Sequence, residues 1–254
     1  MEMNTTMLLG RLCAAALLIG ATLAARGGVA GAATGQCGTL GLRAHWPMDE
    51  PPGAGTMHDV VGGRDGAVRY AITGLTSPAR PGPFYRFGRG GAFPRGSQVT
   101  VADSDVLDPG GCDFRVEIWV NWDRVAAQGH TTYNVTQKGL SSSPGDWKLE
   151  VDGRPGTFGR VMCTFDGAND GRGAVQIESA SGSRVDNTGG WTHLGCERRG
   201  NDFVVSVGSS EAHRTVSNIG PIANSQPLTV GAKALNDSDT FPGDIDDLQY
   251  FSAS

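Results

Sequence analysis

The sequence CDFRVEIWVNW, residues 112–122, decides the fold of this chain. Its apolar residues fall on every second position: Phe114, Val116, Ile118, Val120 and Trp122. Arginine, glutamate, tryptophan and asparagine stand between them, so a period of two runs through nine residues. This alternation is typical of a β-strand with one buried face, and its branched and aromatic residues suit a pleated surface. We therefore predict a central strand of a β-sandwich.

Similar segments lie on both sides of this strand. About a dozen short strand-like segments follow one another at roughly ten-residue spacing, with glycine- and proline-rich turns between them. The first covers residues 42–48 and the last residues 244–251, while Pro78, Pro81 and Pro83 predict an exposed connection. No helical period or internal repeat interrupts the series. The sequence predicts an all-β, two-sheet antiparallel sandwich in one domain, residues 37–254.

Composition excludes some partners. The chain has 254 residues, 39 of them glycine, and a formal net charge of −5. Its lysines and arginines do not cluster, so we expect neither nucleic acid nor an anionic membrane as the main partner.

Residues 1–32 have the layout of a secretory signal. Arg11 supplies a positive charge, residues 12–25 form a short apolar run, and the sequence AGA at 30–32 suits cleavage. The run is short for a membrane span. Cleavage after Ala24 and an uncleaved anchor are the alternatives. We expect a secreted, extracellular protein without a membrane span after cleavage.

Four cysteines follow this segment, at positions 37, 112, 163 and 196. An even number in an exported protein predicts two disulfides, and four cysteines allow three pairings. We favour Cys163–Cys196 because both lie in strand-like runs that could be neighbours. Cys37–Cys112 would then tie the N-terminal segment to the central strand. Metal binding is the rival interpretation, but the cysteines lack the spacing of a zinc site.

Several segments resemble the LamG-like jelly-roll domains of the concanavalin A-like lectin/glucanase superfamily. In chain order they are HWPMDEPPGAG (45–55), YRFGRGGAFPRGSQVTV (85–101), DFRVEIWV (113–120), GGWTHLGC (189–196) and FPGDIDDLQYF (241–251). In the fourth, Thr192 replaces the family's first histidine and His193 is kept. The resemblance implies a jelly-roll sandwich, often one bound calcium ion, and usually a binding role. It names no ligand, because one fold serves many functions.

A calcium site is predicted around the last strand. Asp246 shares parity with apolar residues there, and a buried carboxylate needs a partner or a cation. The resemblance places the first and last strands together, so Asp49 and Asp59 are the candidate partners for one structural calcium ion. The alternative is that Asp246 accepts N–H groups of a turn.

Exposed aromatic residues predict a sugar site, because sugar rings stack on them. Trp119 lies on the polar side of the central strand with Arg115 and Glu117, and Tyr133 and Trp147 flank the serine loop at 141–143. The alternative is that Trp119 is covered and structural.

No complete catalytic motif is present. Resembling glucanases carry E-x-D-x-x-E or E-x-D-x-E on one strand, and the nearest segments here, at 150–152 and 244–247, lack the full set. We expect a non-enzymatic, lectin-like module that binds carbohydrate, a glycoconjugate or another component of the cell envelope. The alternatives are an extracellular protein-binding or adhesive envelope protein and a glycan-cleaving enzyme.

Overall fold

A computed structural model describes residues 37–88, 96–123, 131–140, 143–168, 173–185, 190–233 and 239–254. The predicted signal segment, residues 1–32, lies outside these ranges. The described residues belong to one compact unit. No helix among them is long and apolar enough to cross a membrane.

The described residues form sixteen strands and one short 3-10 helix, Asp105–Leu107. The first eight strands are β1 (Gly41–Trp46), β2 (Thr56–Met57), β3 (Gly66–Arg69), β4 (Ile72–Ser77), β5 (Arg80–Phe87), β6 (Gln98–Val101), β7 (Phe114–Trp122) and β8 (Thr132–Leu140). The others are β9 (Ser143–Asp152), β10 (Val161–Asp166), β11 (Val175–Glu178), β12 (Thr192–Arg199), β13 (Asp202–Val207), β14 (Ser210–Thr215), β15 (Leu228–Val230) and β16 (Gly243–Ser252).

Two eight-stranded sheets pack as a sandwich. Sheet A has the order β14-β13-β12-β7-β16-β5-β4, with β1 also paired to β16. Sheet B has the order β11-β10-β9-β8-β15-β6-β3-β2. All the strand pairs within the two sheets are antiparallel. The all-β jelly-roll prediction is confirmed.

Strand β7 is central in sheet A, as its sequence predicts. It pairs with β12 on one side and β16 on the other. Its side chains alternate between buried and half-buried along all nine residues. The apolar half of the alternation therefore lies in the core, and the polar half lies on the outer face of sheet A.

Aromatic rings join the inner faces of the two sheets. The Phe114 ring of sheet A lies 6.0 Å from the Trp147 ring and 5.8 Å from the Phe165 ring, both of sheet B. Tyr250 of β16 stacks on Trp147 at 6.3 Å. Full burial of such a side chain contributes about 1.5–3 kcal/mol, so this cluster is a major part of the core.

Two disulfides are present, in the pairing favoured from the sequence. Cys163 of β10 bonds Cys196 of β12, and both are buried. This bond crosses the core and connects sheet B to sheet A. Cys37 bonds Cys112, so the start of the described chain is fixed two residues before β7.

The prediction of an exposed connection is confirmed for Pro78, which lies in the exposed turn between β4 and β5, but it is wrong for the other two prolines. Pro81 and Pro83 lie inside β5, which forms a hairpin with β4 at the edge of sheet A. Proline has no N–H to donate, but this part of β5 pairs only with β4, and the register there is irregular. Strand β14, with the sequence SEAHRT, escaped prediction because it is a largely exposed edge strand without apolar alternation.

The double variant Cys163→Ala/Cys196→Ala should lower the free energy of unfolding by about 3–4 kcal/mol, because the bond closes a loop of 33 residues and restricts the unfolded chain. Urea unfolding under oxidising conditions measures this. In reductant the wild type loses the same bond, so the difference should disappear. Equal stability of variant and wild type under oxidising conditions would contradict the role of this bond.

Candidate functional site

The predicted sugar-binding residues are divided between the two sheets. Arg115, Glu117 and Trp119 lie on the outer face of sheet A, whereas Tyr133 and Trp147 belong to sheet B. Trp147 is wrong as a sugar-stacking residue because it is fully buried in the core. The alternation of β9 turns its side chain inward. Tyr133 also packs inward and is only partly buried.

Trp119 lies beneath an arginine. The guanidinium carbon of Arg80 is 4.6 Å from the centre of the Trp119 ring and 5.6 Å from that of Trp191. His193 packs beside Trp119 at 5.0 Å. A cation over an aromatic face is favourable, so Arg80 occupies the surface on which a sugar would stack.

The charges of Arg115 and Glu117 are paired with each other. Their side chains form an ion pair at 3.1 Å, and the guanidinium of Arg115 lies 4.4 Å from the Phe251 ring centre. The predicted residues on sheet A therefore form a surface of ion-pair and cation–π contacts, in which Arg115 Nε still lacks a hydrogen-bond partner among the described residues.

The carboxylate of Asp59 accepts hydrogen bonds from backbone N–H groups of the protein. It accepts N–H bonds from His45 at 2.9 Å, Val61 at 3.0 Å and Arg64 at 3.1 Å. Burial alone would raise the pKa of Asp59, but these bonds hold the pKa below its ordinary value. Asp59 thus fixes the loop after β2.

Asp246 has an ion pair where calcium was predicted. Its side chain bonds to Arg80, which also reaches Asp247 at 3.3 Å. Burial raises the pKa of Asp246 to about 6 although Arg80 opposes the shift, so the carboxylate is ionised at neutral pH. Burial and the neighbouring Glu50 raise the pKa of Asp49.

These residues do not fit a calcium ion as they are arranged. Asp59 is satisfied by backbone donors, and the cation beside Asp246 is a guanidinium. Among the described residues, no three His, Cys, Asp or Glu side chains are grouped as metal ligands. Asp59 and Asp246 thus belong to structural networks that His45 links, since it bonds to both Asp59 and Asp247. Calcium binding at Asp49, Asp59 and Asp246 stays a prediction.

A different polar surface emerges on the outside of sheet B. Along β9, tryptophan, leucine and valine at 147, 149 and 151 turn into the core, so the residues between them turn outward. The cross-strand register extends this outward set onto β8, β10 and β15. We call the following residues the polar face: Asn134, Gln137, Asp146, Lys148, Glu150, Thr164, Asp166 and Thr229.

The polar face is recessed. Asp146 is 1% exposed, Glu150 5% and Thr164 7%. Three of its buried polar atoms have no hydrogen-bond partner in the described part of the chain: Asp146 Oδ1, Asn134 Oδ1 and Thr229 Oγ1. Buried polar groups in proteins are nearly always paired, so these three atoms are candidates for contact with a ligand. Similar atoms lie at the outer face of sheet A, on Arg115, Trp191 and Asp246.

Charge is unevenly distributed over this face. Burial raises the pKa of Asp146 to about 7; Lys148 opposes the shift, and Asp166 and Glu150 add to it. The ammonium of Lys148 lies 3.5 Å from a Glu150 oxygen. Near neutral pH, Asp146 can therefore exist in both protonation states and either donate or accept a hydrogen bond.

Asp152 is the last of the outward-facing charged residues of β9. Its carboxylate binds Arg154 at 2.7 and 2.9 Å. Burial would raise its pKa, but these bonds lower it. Asp152 is thus committed to a local structure and does not belong to the open part of the face.

The polar face was missed from the sequence, although a signal for it exists. The segment DWKLEVD, residues 146–152, alternates charged and apolar residues, so its four charged side chains must share one face. The glucanase pattern points only to residues 150–152 of this segment. Asp166 becomes a neighbour only through the register of β10 with β9.

The family follows from a sequence comparison. Residues 93–254 match a laminin G domain model of the concanavalin A-like lectin/glucanases superfamily. The match covers more than half of the chain, and the chain belongs to this superfamily. A search of curated proteins found no match.

Solved structures with similar folds include binding domains. The binding domain of Paraclostridial Mosquitocidal Protein 1 is 12% identical with a TM-score of 0.60, over 83% of this chain and 48% of that one. The receptor binding domain of botulinum neurotoxin D has 12% identity, TM-score 0.57 and coverages of 83% and 49%. The chain spans about half the length of these toxin domains.

Another similar structure is domain 4 of AbnA, an extracellular arabinanase from Geobacillus stearothermophilus, in complex with arabinotriose. It is 17% identical, with a TM-score of 0.54, over 84% of this chain and 93% of that one. At these identities the likeness concerns the fold.

Asp146→Asn should stabilise the protein at about pH 8 by roughly 2–4 kcal/mol. The raised pKa of Asp146 means that its ionisation disfavours the folded state. Stability due to this group is present below its unfolded pKa of about 4 and is lost as the pH rises to about 7. The advantage of the variant should therefore vanish near pH 4, as measured by urea unfolding against pH.

Glu211→Gln is the matched control, because Arg199 lowers the pKa of this exposed carboxylate. It should give no gain at alkaline pH. A pH-independent effect of Asp146→Asn would contradict the assigned burial of Asp146.

Arg80→Met should lower the free energy of unfolding by about 3 kcal/mol, since it leaves Asp246 charged and buried. Adding Asp246→Asn should restore part of the lost free energy of unfolding. The change in the double variant should therefore be smaller than the sum of the changes in the two single variants. A double-mutant cycle by chemical unfolding measures this coupling. Additive effects would show that the pair is not coupled.

Proposed function

We propose that this protein is a secreted, lectin-like binding module that binds carbohydrate or a glycoconjugate on the polar face of sheet B. The observation that supports this most is the group of three buried polar atoms without partners, on Asp146, Asn134 and Thr229. Such atoms cost free energy unless a ligand pairs with them.

Sugar hydroxyls suit these atoms. A hydroxyl donates one hydrogen bond and accepts two, so neighbouring hydroxyls can meet a carboxylate oxygen, an amide oxygen and a threonine hydroxyl together. Lys148 and Glu150 add one donor group and one acceptor group within the same face. A recessed surface with a few oriented polar groups is typical of small-ligand sites.

The comparisons are consistent with a non-catalytic binding role. The toxin neighbours are described as binding domains, and the arabinanase domain was solved with a trisaccharide. Along β9, Asp146 and Glu150 are four residues apart, which is about 13 Å at strand spacing. This exceeds the separation of about 5–9.5 Å between the two carboxyl groups of glycosidases.

Secretion is part of the proposal. The predicted signal at residues 1–32 and the two disulfides both suit an oxidising, extracellular location. The carbohydrate would then belong to a polysaccharide or to a cell envelope.

Binding should fail when the polar face is changed. Calorimetric titration of a panel of arabinan, glucan and amino-sugar oligosaccharides should find a ligand for the wild type, and Lys148→Met or Glu150→Gln should weaken that ligand about tenfold or more. Glu211→Gln, on the exposed strand β14, should bind like the wild type. Binding should survive a calcium chelator, because the polar face lies on sheet B whereas Asp246, the central candidate calcium ligand, lies on β16 of sheet A.

Three results would contradict the proposal. Unchanged affinity in both polar-face variants would place the site elsewhere, for example near Trp119. Absence of glycan binding together with a stable protein complex from envelope extract would favour the adhesive alternative. Release of reducing sugar by the wild type, lost in Asp146→Asn, would identify an enzyme.

A further inference from the structure

We propose that Lys138 and Asn224 become joined by an intramolecular isopeptide bond, and that Asp108 catalyses its formation. The bond links strand β8 to the segment that precedes β15, 86 residues further along the chain. Neither of the two joined residues belongs to the polar face, and this modification does not depend on the proposed glycan binding. It follows from the contacts of a buried lysine and from the hydrogen bonds that hold one asparagine amide.

Lys138 is buried in apolar surroundings. It is 1% exposed, and it lies opposite Trp147 on β9 and Leu228 on β15, which are both fully buried. Its Nζ atom is 3.2 Å from Oδ1 and 2.8 Å from the backbone oxygen of Asn224. The same Nζ atom is 3.1 Å from Oδ1 of Asp108. The amine is therefore held beside both an amide and a carboxyl group.

The side chain of Asn224 is oriented for attack on its carbonyl carbon. Oδ1 accepts the N–H of Gln226 at 2.9 Å, and Nδ2 donates to the carbonyl oxygen of Gly145 at 2.7 Å. Because Oδ1 is bonded to Cγ at about 1.2 Å, Cγ lies at most about 4.4 Å from Nζ of Lys138. The N–H of Gln226 would stabilise the negative charge that develops on Oδ1 during the attack.

Gly139 gives the amide access to the lysine. Its φ is +97°, and a Cβ at this position would lie 2.6 Å from Nδ2 of Asn224. Glycine adopts such a φ without steric cost and lets another group approach the backbone closely. The residue next to Lys138 therefore leaves the space that the Asn224 amide occupies.

Asp108 is placed to carry the proton. Its Oδ1 atom contacts Nζ of Lys138 and accepts the backbone N–H of Asn224 at 3.2 Å, so it lies next to both reacting residues. Burial raises the pKa of Asp108, although Lys138 opposes the shift. Burial disfavours two opposite charges relative to a neutral amine and a neutral carboxylic acid, so it lowers the cost of proton transfer from Lys138 to Asp108. Asp103 also contacts Nζ, at 2.7 Å, but its side chain is 35% exposed and can keep its charge in contact with water.

The reaction balances without an oxidant or a co-reactant. The ammonium of Lys138 gives one proton to Asp108, and the neutral amine attacks Cγ of Asn224. Asp108 then gives its proton to Nδ2 and takes another from Nζ, while the Nζ–Cγ bond forms and the Cγ–Nδ2 bond breaks. The leaving nitrogen departs as ammonia, and Asp108 releases its last proton to water. The protein therefore loses about 17 Da, the mass of ammonia.

Mass spectrometry of the full, oxidised protein tests the bond directly. The wild type should be about 17 Da lighter than its residues and two disulfides require. Trypsin should not cut after Lys138, because an acylated lysine has lost its charge. The fragment that contains Lys138 should be attached to the fragment that contains Asn224 by a link that reductant does not break. This linked fragment distinguishes the bond from cyclisation of an asparagine, which loses the same mass.

Three variants assign the roles. Lys138→Arg keeps the positive charge but cannot form the bond, so its mass should show no loss of ammonia. Asp108→Asn should lower the linked fraction after a fixed time about tenfold or more, because the proton carrier is removed. Lys233→Met is the matched control, since this lysine is paired with Asp239 in a separate contact, and it should keep the loss. Circular dichroism checks that each variant is folded.

Each contrary outcome has a distinct meaning. A wild type of full mass that trypsin cuts after Lys138 would overturn the inference, whether or not the variants fold. A loss of ammonia that persists in Lys138→Arg would place the reaction elsewhere and would also overturn it. Linkage in Asp108→Asn as complete and as fast as in the wild type would overturn the assignment of Asp108 as the catalytic residue. Glycan binding is tested separately by the polar-face variants, so failure of the bond leaves the proposed function intact.

Discussion

The structure depends on the alternation of side chains along strands that are covered on both faces. In β9 and β10 the inner residues must be apolar, because they meet sheet A across the core. The outer residues are polar apart from Met162 and are scarcely more exposed, and β10 is buried at all six positions. Polar groups held there cannot rely on bulk water, so they must pair with each other or with a ligand. The Asp146 region is where pairing within the protein is incomplete.

On the outer face of sheet A, a residue of the protein itself compensates buried charge. Arg80 lies against Trp119 and Trp191 and pairs with Asp246 and Asp247. The guanidinium thus supplies a positive charge beside the buried carboxylate of Asp246. A buried ion pair of this kind does not guarantee added stability, but it compensates the buried charge of Asp246. Buried atoms without a hydrogen-bond partner among the described residues occur on this face as well, among them Arg115 Nε and Asp246 Oδ1, but here Arg80 covers the Trp119 ring on which a sugar would stack.

The sequence contained enough information for the fold. The two-residue period of β7 predicted its bounds. The order of five weak motifs predicted the jelly roll, and the third and fifth of them coincide with β7 and β16. The site was harder. Trp147 was misplaced because its position next to a serine loop was given more weight than its parity within β9. Arg80 and Asp246 are 166 residues apart, so no local pattern could predict their contact. The pair Asp146–Asp166 likewise depends on the register between strands, which alternation alone does not determine.

The most direct test of the polar face as the binding surface is NMR chemical-shift mapping of the isotopically labelled protein during titration with a bound glycan. We expect the largest backbone and side-chain shifts at residues 146–150 and 162–166, with little change at residues 115–121. Shifts concentrated around Trp119 and Trp191, with β9 and β10 unchanged, would contradict the account and return the site to sheet A.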